Sequence, residues 1–141
     1  MDFGMFGVAA VLGFAGVGSA IGVSLGGSSA IGSWKKCYMN NKPAPFVLVI
    51  FAGAPLTQVL YGLIMVNNMK DSGSNPWLLL GIGMICGLAI GASAMAQGKA
   101  GAGASDALAE TGKGLGLYFT VVGLCETVAL LVMAFGLMML Q

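Results

Sequence analysis

The 141-residue sequence has no histidine and no arginine, and only 8% of its residues are charged. Without histidine the commonest general base and metal ligand is missing, and no Ser/His or Cys/His pair can be assembled for nucleophilic catalysis. Enzymatic chemistry within the chain is therefore not expected. With six lysines set against five acids, no basic patch calls for nucleic acid or an anionic surface partner. Cysteine is scarce as well. Cys37, Cys86 and Cys125 are isolated, odd in number and without metal-ligand spacing, which argues against a disulfide framework or a zinc site and for small packing residues.

What fills the chain instead is apolar. Hydrophobic residues make up 57% of it and the mean hydropathy is +0.92, outside the range of a soluble globular domain, so the chain reads as an integral membrane protein. Asp2 and no lysine precede a first apolar run longer than a signal-peptide core, which is expected to be retained as a first span. Four apolar stretches, 4–32, 45–67, 77–104 and 115–140, are each long enough to cross a hydrocarbon core needing about 20 helical residues. The fold class expected is thus all-α, four transmembrane helices in two tandem hairpins, 1–67 and 68–141. The connectors 33–44 and 105–114, with Lys99 nearby, hold five of the six lysines, whereas Lys70 is offset by Asp71. By the positive-inside rule these connectors face the cytoplasm and both termini lie outside a multi-pass protein of the cell membrane. Trp34, Tyr38, Phe46, Trp77 and Tyr118 stand near span ends as interfacial anchors.

Spans one and three share a texture of small residues. Gly18, Gly22, Gly26 and Ala30 recur every four residues, as do Gly83, Gly87 and Gly91, and again Ala92, Ala96, Ala100 and Ala104, a spacing that lets helix backbones approach closely in lipid. Spans two and four are bulkier. Aligning the halves sets Ala20-Ile21-Gly22 opposite Ala96-Gln97-Gly98, Gly53 opposite Gly123, Leu56 opposite Glu126 and Thr57 opposite Thr127, as a duplication would. A thin helix beside a thick one makes a wedge, and such wedges can close into a ring; the same stripes would also pack a compact monomer.

One acid lies inside a span. Glu126 sits within Leu124-Cys125-Glu126-Thr127-Val128-Ala129-Leu130, and a charge at mid-bilayer costs roughly 2.5–3.5 kcal/mol on insertion scales, so it requires a partner, a proton or a cation. Span two offers Ala54-Pro55-Leu56-Thr57-Gln58-Val59-Leu60-Tyr61, in which Thr57, Gln58 and Tyr61 share a helix face. Pro55 has no N–H and frees the carbonyl of Phe51, loosening backbone that could turn a nearby carbonyl toward a cation. Span three adds Gln97. Glu126, Thr57 and Gln58 each lie about twelve residues into their spans from the same side, roughly 18 Å of helix, so these groups can meet at one level.

Ala54-Pro55-Leu56-Thr57-Gln58-Val59-Leu60-Tyr61-Gly62, Ala96-Gln97-Gly98-Lys99 and Glu126-Thr127 together resemble the duplicated proteolipid (K or c) subunit of bacterial V-type rotary ATPases, the sodium-coupled kind in particular. The resemblance covers all four spans. It implies a homo-oligomeric ring in lipid that carries one ion per protomer past a stator subunit with an essential arginine, and a central stalk docked on the cytoplasmic loops. It further implies Glu126 as the ion-binding carboxylate, Thr57, Gln58 and Gln97 as side-chain oxygen ligands, Ala54 as a backbone carbonyl ligand, and Tyr61 as a hydrogen bond that locks the glutamate. The family often has Leu where Ala54 stands and Gly where Leu56 stands, which adds bulk close to the expected site. Na⁺ is the expected ion, with H⁺ as the alternative. A small secondary transporter fits less well, because the repeats are parallel and only Pro55 interrupts a helix. A purely structural four-helix protein leaves Glu126 unexplained.

Overall fold

The computed structural model describes residues 2–141, in which the secondary structure is entirely helical. Helix α1 runs Phe3–Met39, α2 Leu48–Gly53, α3 Thr57–Asp71, α4 Pro76–Thr111 and α5 Leu115–Met138. Between α2 and α3 lies a single 3₁₀ turn, Ala54–Leu56, so the two short helices form one path across the bundle. Among the described residues, four helical paths are long and apolar enough to cross a membrane.

The sequence explains most of the ends. Asp2 caps α1, its carboxylate accepting from the N–H groups of Gly4 (3.0 Å) and Met5 (3.2 Å). Asn75 caps α4 by accepting from Trp77 N–H at 2.8 Å, with Pro76 at the first helical position, where its missing N–H costs nothing. At the other end of α4, Gly112 and Gly114 adopt φ of +65° and +87°, the left-handed conformation that stops a helix and that glycine enters without strain. Pro43 and Pro45 hold the stretch after α1 away from helix.

The connectors expected over 33–44 and 105–114 are a correction. α1 continues to Met39 and α4 to Thr111, so the true turns are shorter and the two thin helices, at 37 and 36 residues, outrun α5 at 24. Falling hydropathy marks where a chain leaves an apolar layer, not where its helix ends. Ser33-Trp34-Lys35-Lys36 and Ala107-Leu108-Ala109-Glu110 contain no helix breaker, and the two extensions pack on each other. Cys37 and Leu108 are buried there, and the Lys36 ammonium donates to Asp106 (2.7 Å) and Glu110 (3.2 Å).

The core is built on backbone contact between α1 and α4. A methyl group on Gly83 would overlap the Gly7 carbonyl, one on Gly18 would overlap Gly91, and one on Gly98 would overlap Gly22. Gly7 and Gly83, like Gly22 and Gly98, are equivalent positions in the duplicated register, so the two thin helices meet through equivalent faces. The glycine stripes therefore pack the chain internally. The alanine stripe does not: Ala92 and Ala96 stay exposed beside Leu124 and Val128, and only Ala104 at its far end is buried. Both hydrophobic clusters draw on both hairpins, one around Val11, Met65, Ile90 and Ala129, the other around Phe51, Leu108 and Val122.

The α1–α4 contact yields a test. Gly98→Ala is expected to lower the thermal unfolding midpoint in detergent, reflecting about 1–3 kcal/mol of overpacking against backbone that cannot retreat. Gly116→Ala, where nothing lies within 4 Å of the added methyl, should be neutral or slightly stabilising. Equal midpoints for the two variants would show that this contact does not limit stability.

Candidate functional site

The 3₁₀ turn at Ala54–Leu56 delivers the first part of the site. Pro55 cannot donate to the helix ladder, the turn tightens around it, and the Ala54 carbonyl accepts both the N–H and, at 3.0 Å, the hydroxyl of Thr57. The carbonyl that gathers polar partners is thus that of Ala54; the carbonyl of Phe51, which the sequence marks as freed, lies against Gly101 of α4. Leu56 is 55% exposed and points out of the bundle, so its bulk does not enter the site.

From Thr57 a continuous polar chain crosses three helices. The Thr57 hydroxyl reaches Gln58 Oε1 at 3.2 Å, Gln58 Nε2 donates to Gln97 Oε1 at 2.8 Å, and Gln97 Nε2 donates to Glu126 Oε2 at 3.2 Å. Tyr61 Oη closes the chain, donating to the other carboxylate oxygen, Oε1, at 2.5 Å. Gln58 and Gln97 are fully buried, whereas Thr57, Tyr61 and Glu126 are half-buried at the edge between α3 and α5. All six residues singled out from the sequence, Ala54, Thr57, Gln58, Tyr61, Gln97 and Glu126, come together in one hydrogen-bonded chain. Thr127 does not join them; its hydroxyl bonds back to the Gly123 carbonyl at 3.0 Å on the exposed side of α5.

The network is fixed as much by α4 as by the ligand-type side chains. Gln97 Nε2 also donates to the Val122 carbonyl at 3.2 Å, and Ser93, one turn earlier, donates to the Cys125 carbonyl at 2.6 Å. Two side chains of α4 thus grip α5 at Val122 and Cys125, in the turn that leads into Glu126, and set its rotation. Sequence reasoning missed Ser93. The available signal was its spacing of four from Gln97, which puts both on one helix face.

Chemically, one carboxylate lies beside amide, hydroxyl and carbonyl oxygens inside an apolar bundle. A polar network of this kind is stable in hydrocarbon only because nearly every donor in it has an acceptor. The bond from Tyr61 is the shortest in the network. Tyr61→Phe should leave the helices intact yet free one oxygen of Glu126, raising the rate at which a hydrophobic carbodiimide modifies that residue by about tenfold, the equivalent of one hydrogen bond to a charged acceptor. An unchanged rate of mass gain in the intact protein would show that Tyr61 does not restrain the carboxylate.

The chain is similar to known proteins over part or most of its length. Residues 80–139, which include Gln97 and Glu126 but not the α3 residues, match the family model described as the C subunit of ATP synthase. Over 130 residues the chain is 32% identical to the A-type ATP synthase K subunit of Methanocaldococcus jannaschii, an alignment covering 90% of this chain and 56% of that protein. The chain thus spans little more than half the length of this curated relative.

Proposed function

We propose that the chain is a member of the ATP synthase C-subunit family, a non-catalytic proteolipid of the K type, and that copies of it form the membrane rotor ring of a V-type, sodium-coupled rotary ATPase. Each copy carries one Na⁺ at Glu126. The observation that carries the reading is the polar chain from Thr57 through Gln58 and Gln97 to Glu126, built at mid-span around a single acid. Na⁺ must exchange most of its hydration shell for protein oxygens, and here Glu126 supplies the charge while Thr57, Gln58, Gln97 and the Ala54 carbonyl supply neutral oxygens. A single carboxylate neutralises a monovalent cation and leaves no net charge to be buried.

The mechanism follows from that balance. Loaded, Glu126 is neutralised and can pass the lipid at the edge of α5. Emptied, it is confined to a polar stator surface, where an arginine of the stator would receive it. Tyr61 holds the carboxylate closed between these events. Moving each charge across the membrane is worth about 2.3 kcal/mol per 100 mV, which couples rotation to the ion gradient. In the duplicated register Ile21 and Leu56 take the places of Gln97 and Glu126, so one site per chain follows.

A proton is the second reading: a carboxylate takes one without a shell of neutral oxygens, and Gln97 turns its amide NH₂, not its oxygen, toward Glu126. The two are separated by carbodiimide labelling. Na⁺ should protect Glu126 saturably at a pH where free carboxylates are ionised, Gln97→Ile should weaken the protection strongly, and Glu126→Gln should remove both labelling and transport in vesicles. Protection that follows pH alone, equal in Na⁺ and choline, would assign the ring to protons.

The lysine-rich end of the bundle, with Lys36, Lys42 and Lys113, is proposed to face the cytoplasm and to dock the central stalk, with both termini outside. In a chain whose three cysteines are replaced, Lys113→Cys should react with an impermeant maleimide in inverted vesicles and not in intact cells. The reverse pattern would invert the topology.

A further inference from the structure

Ser19 of α1 is 1% exposed, and its hydroxyl has no hydrogen-bond partner among the described residues. A buried, unpaired hydroxyl is a cost that packing alone does not explain, since alanine would fill nearly the same space without it. Its position is informative. α1 and α3 run antiparallel, and a methyl on Gly22 would come within 2.8 Å of Pro55 Cβ while one on Gly62 would come within 3.0 Å of Ala15 Cβ. Ser19 lies between Ala15 and Gly22 on one face of α1, and Gln58 of α3 lies between Pro55 of the 3₁₀ turn and Gly62. Register therefore sets Ser19 level with Gln58, at the heart of the polar chain but on a helix that contributes nothing to it.

The hydrogen bonds of Gln58 show what such a hydroxyl could do. Here Gln58 Nε2 donates to Gln97 Oε1, so the two amides satisfy each other. Both amide oxygens cannot turn to a cation while one of them accepts from the other's NH₂. When they do turn, the Gln58 NH₂ loses the Gln97 oxygen and needs a new acceptor in a fully buried place. Serine offers two lone pairs for that purpose, and its own proton can go to the carbonyl four residues back in α1.

We infer that Ser19 is a positioning residue of the cation-loaded site, accepting the Gln58 amide NH₂ when the Gln58 and Gln97 oxygens turn toward the ion. The inference rests on the cation-binding reading above. It assigns to α1 a part in discriminating the loaded from the empty state: the Gln58 NH₂ passes between Gln97 and Ser19 as the ion leaves and enters.

The test uses the purified oligomer and two readouts, carbodiimide labelling of Glu126 and thermal unfolding, each in NaCl and in choline chloride. Ser19→Ala should raise the Na⁺ concentration for half-protection by about three- to tenfold, the loss of one buried hydrogen bond. Its unfolding midpoint in choline should equal or exceed that of the unsubstituted protein, because an unpaired hydroxyl has been removed, while the upward shift produced by Na⁺ shrinks. Unchanged half-protection would overturn the inference and leave the cation reading standing. An equal drop of the midpoint in both salts would make Ser19 a packing residue and overturn it as well. Absence of Na⁺ protection in the unsubstituted protein would instead remove the cation reading, and this inference with it.

Discussion

There is no room for a methyl group between Gly22 and Gly98, and the site depends on that contact. Lipid tails are as apolar as leucine, so helices in a membrane are not driven together by water and must gain from close packing and from polar contacts. Glycine pairs along α1 and α4 bring backbone against backbone, which places Gln97, the neighbour of Gly98, deep in the bundle with its amide directed at α3 and α5. Gly22 meets Pro55 as well, so the same point in α1 seats the 3₁₀ turn that presents Ala54 and Thr57. A wider spacing of the thin helices would move one wall of the site away from the other.

The polar chain is the second constraint and it is conditional on the first. Glu126 in hydrocarbon is tolerable because Tyr61 and Gln97 hold its two oxygens, and Gln97 is tolerable because Gln58 and the Val122 carbonyl occupy its oxygen and its NH₂. Each link leaves a buried donor or acceptor unpaired if its neighbour is lost, so the residues behave as a unit and not as a sum. Ser93 adds a second hold on the backbone of α5, at the Cys125 carbonyl next to Glu126. The ionic contacts at the lysine-rich end are of another kind. Lys36, Asp106 and Glu110 are exposed and contribute little individually, and their role is to keep two long helices paired where the bundle outruns α5.

Fold class and site were legible to different degrees and for different reasons. Four spans follow from hydropathy because a bilayer demands about 20 apolar helical residues per crossing. Helix length did not follow: the hydropathy that locates the spans falls where Ser33 and Ser105 begin, yet both helices run on, since Lys, Glu, Ala and Leu favour helix in any solvent. That Glu126 needs partners was also readable, because an unpaired acid in an apolar run has no other account, and periodicity alone put Thr57, Gln58 and Tyr61 on one face.

The sequence by itself determined the spans, the single intramembrane acid and the residues able to meet it, because each of these is a property of one helix: its length, its charge, its 3.6-residue period. Relations between helices belonged to the tertiary structure. Which stripe of small residues would be buried, the glycines and not Ala92 and Ala96, was settled by which faces of α1 and α4 met. That Leu56 would point away, that Ser93 would reach the Cys125 carbonyl, and that Ser19 would stand level with Gln58 were decided the same way. Rotation and height of one helix against another depend on backbone approach distances summed over the whole contact, a quantity that no single helix encodes.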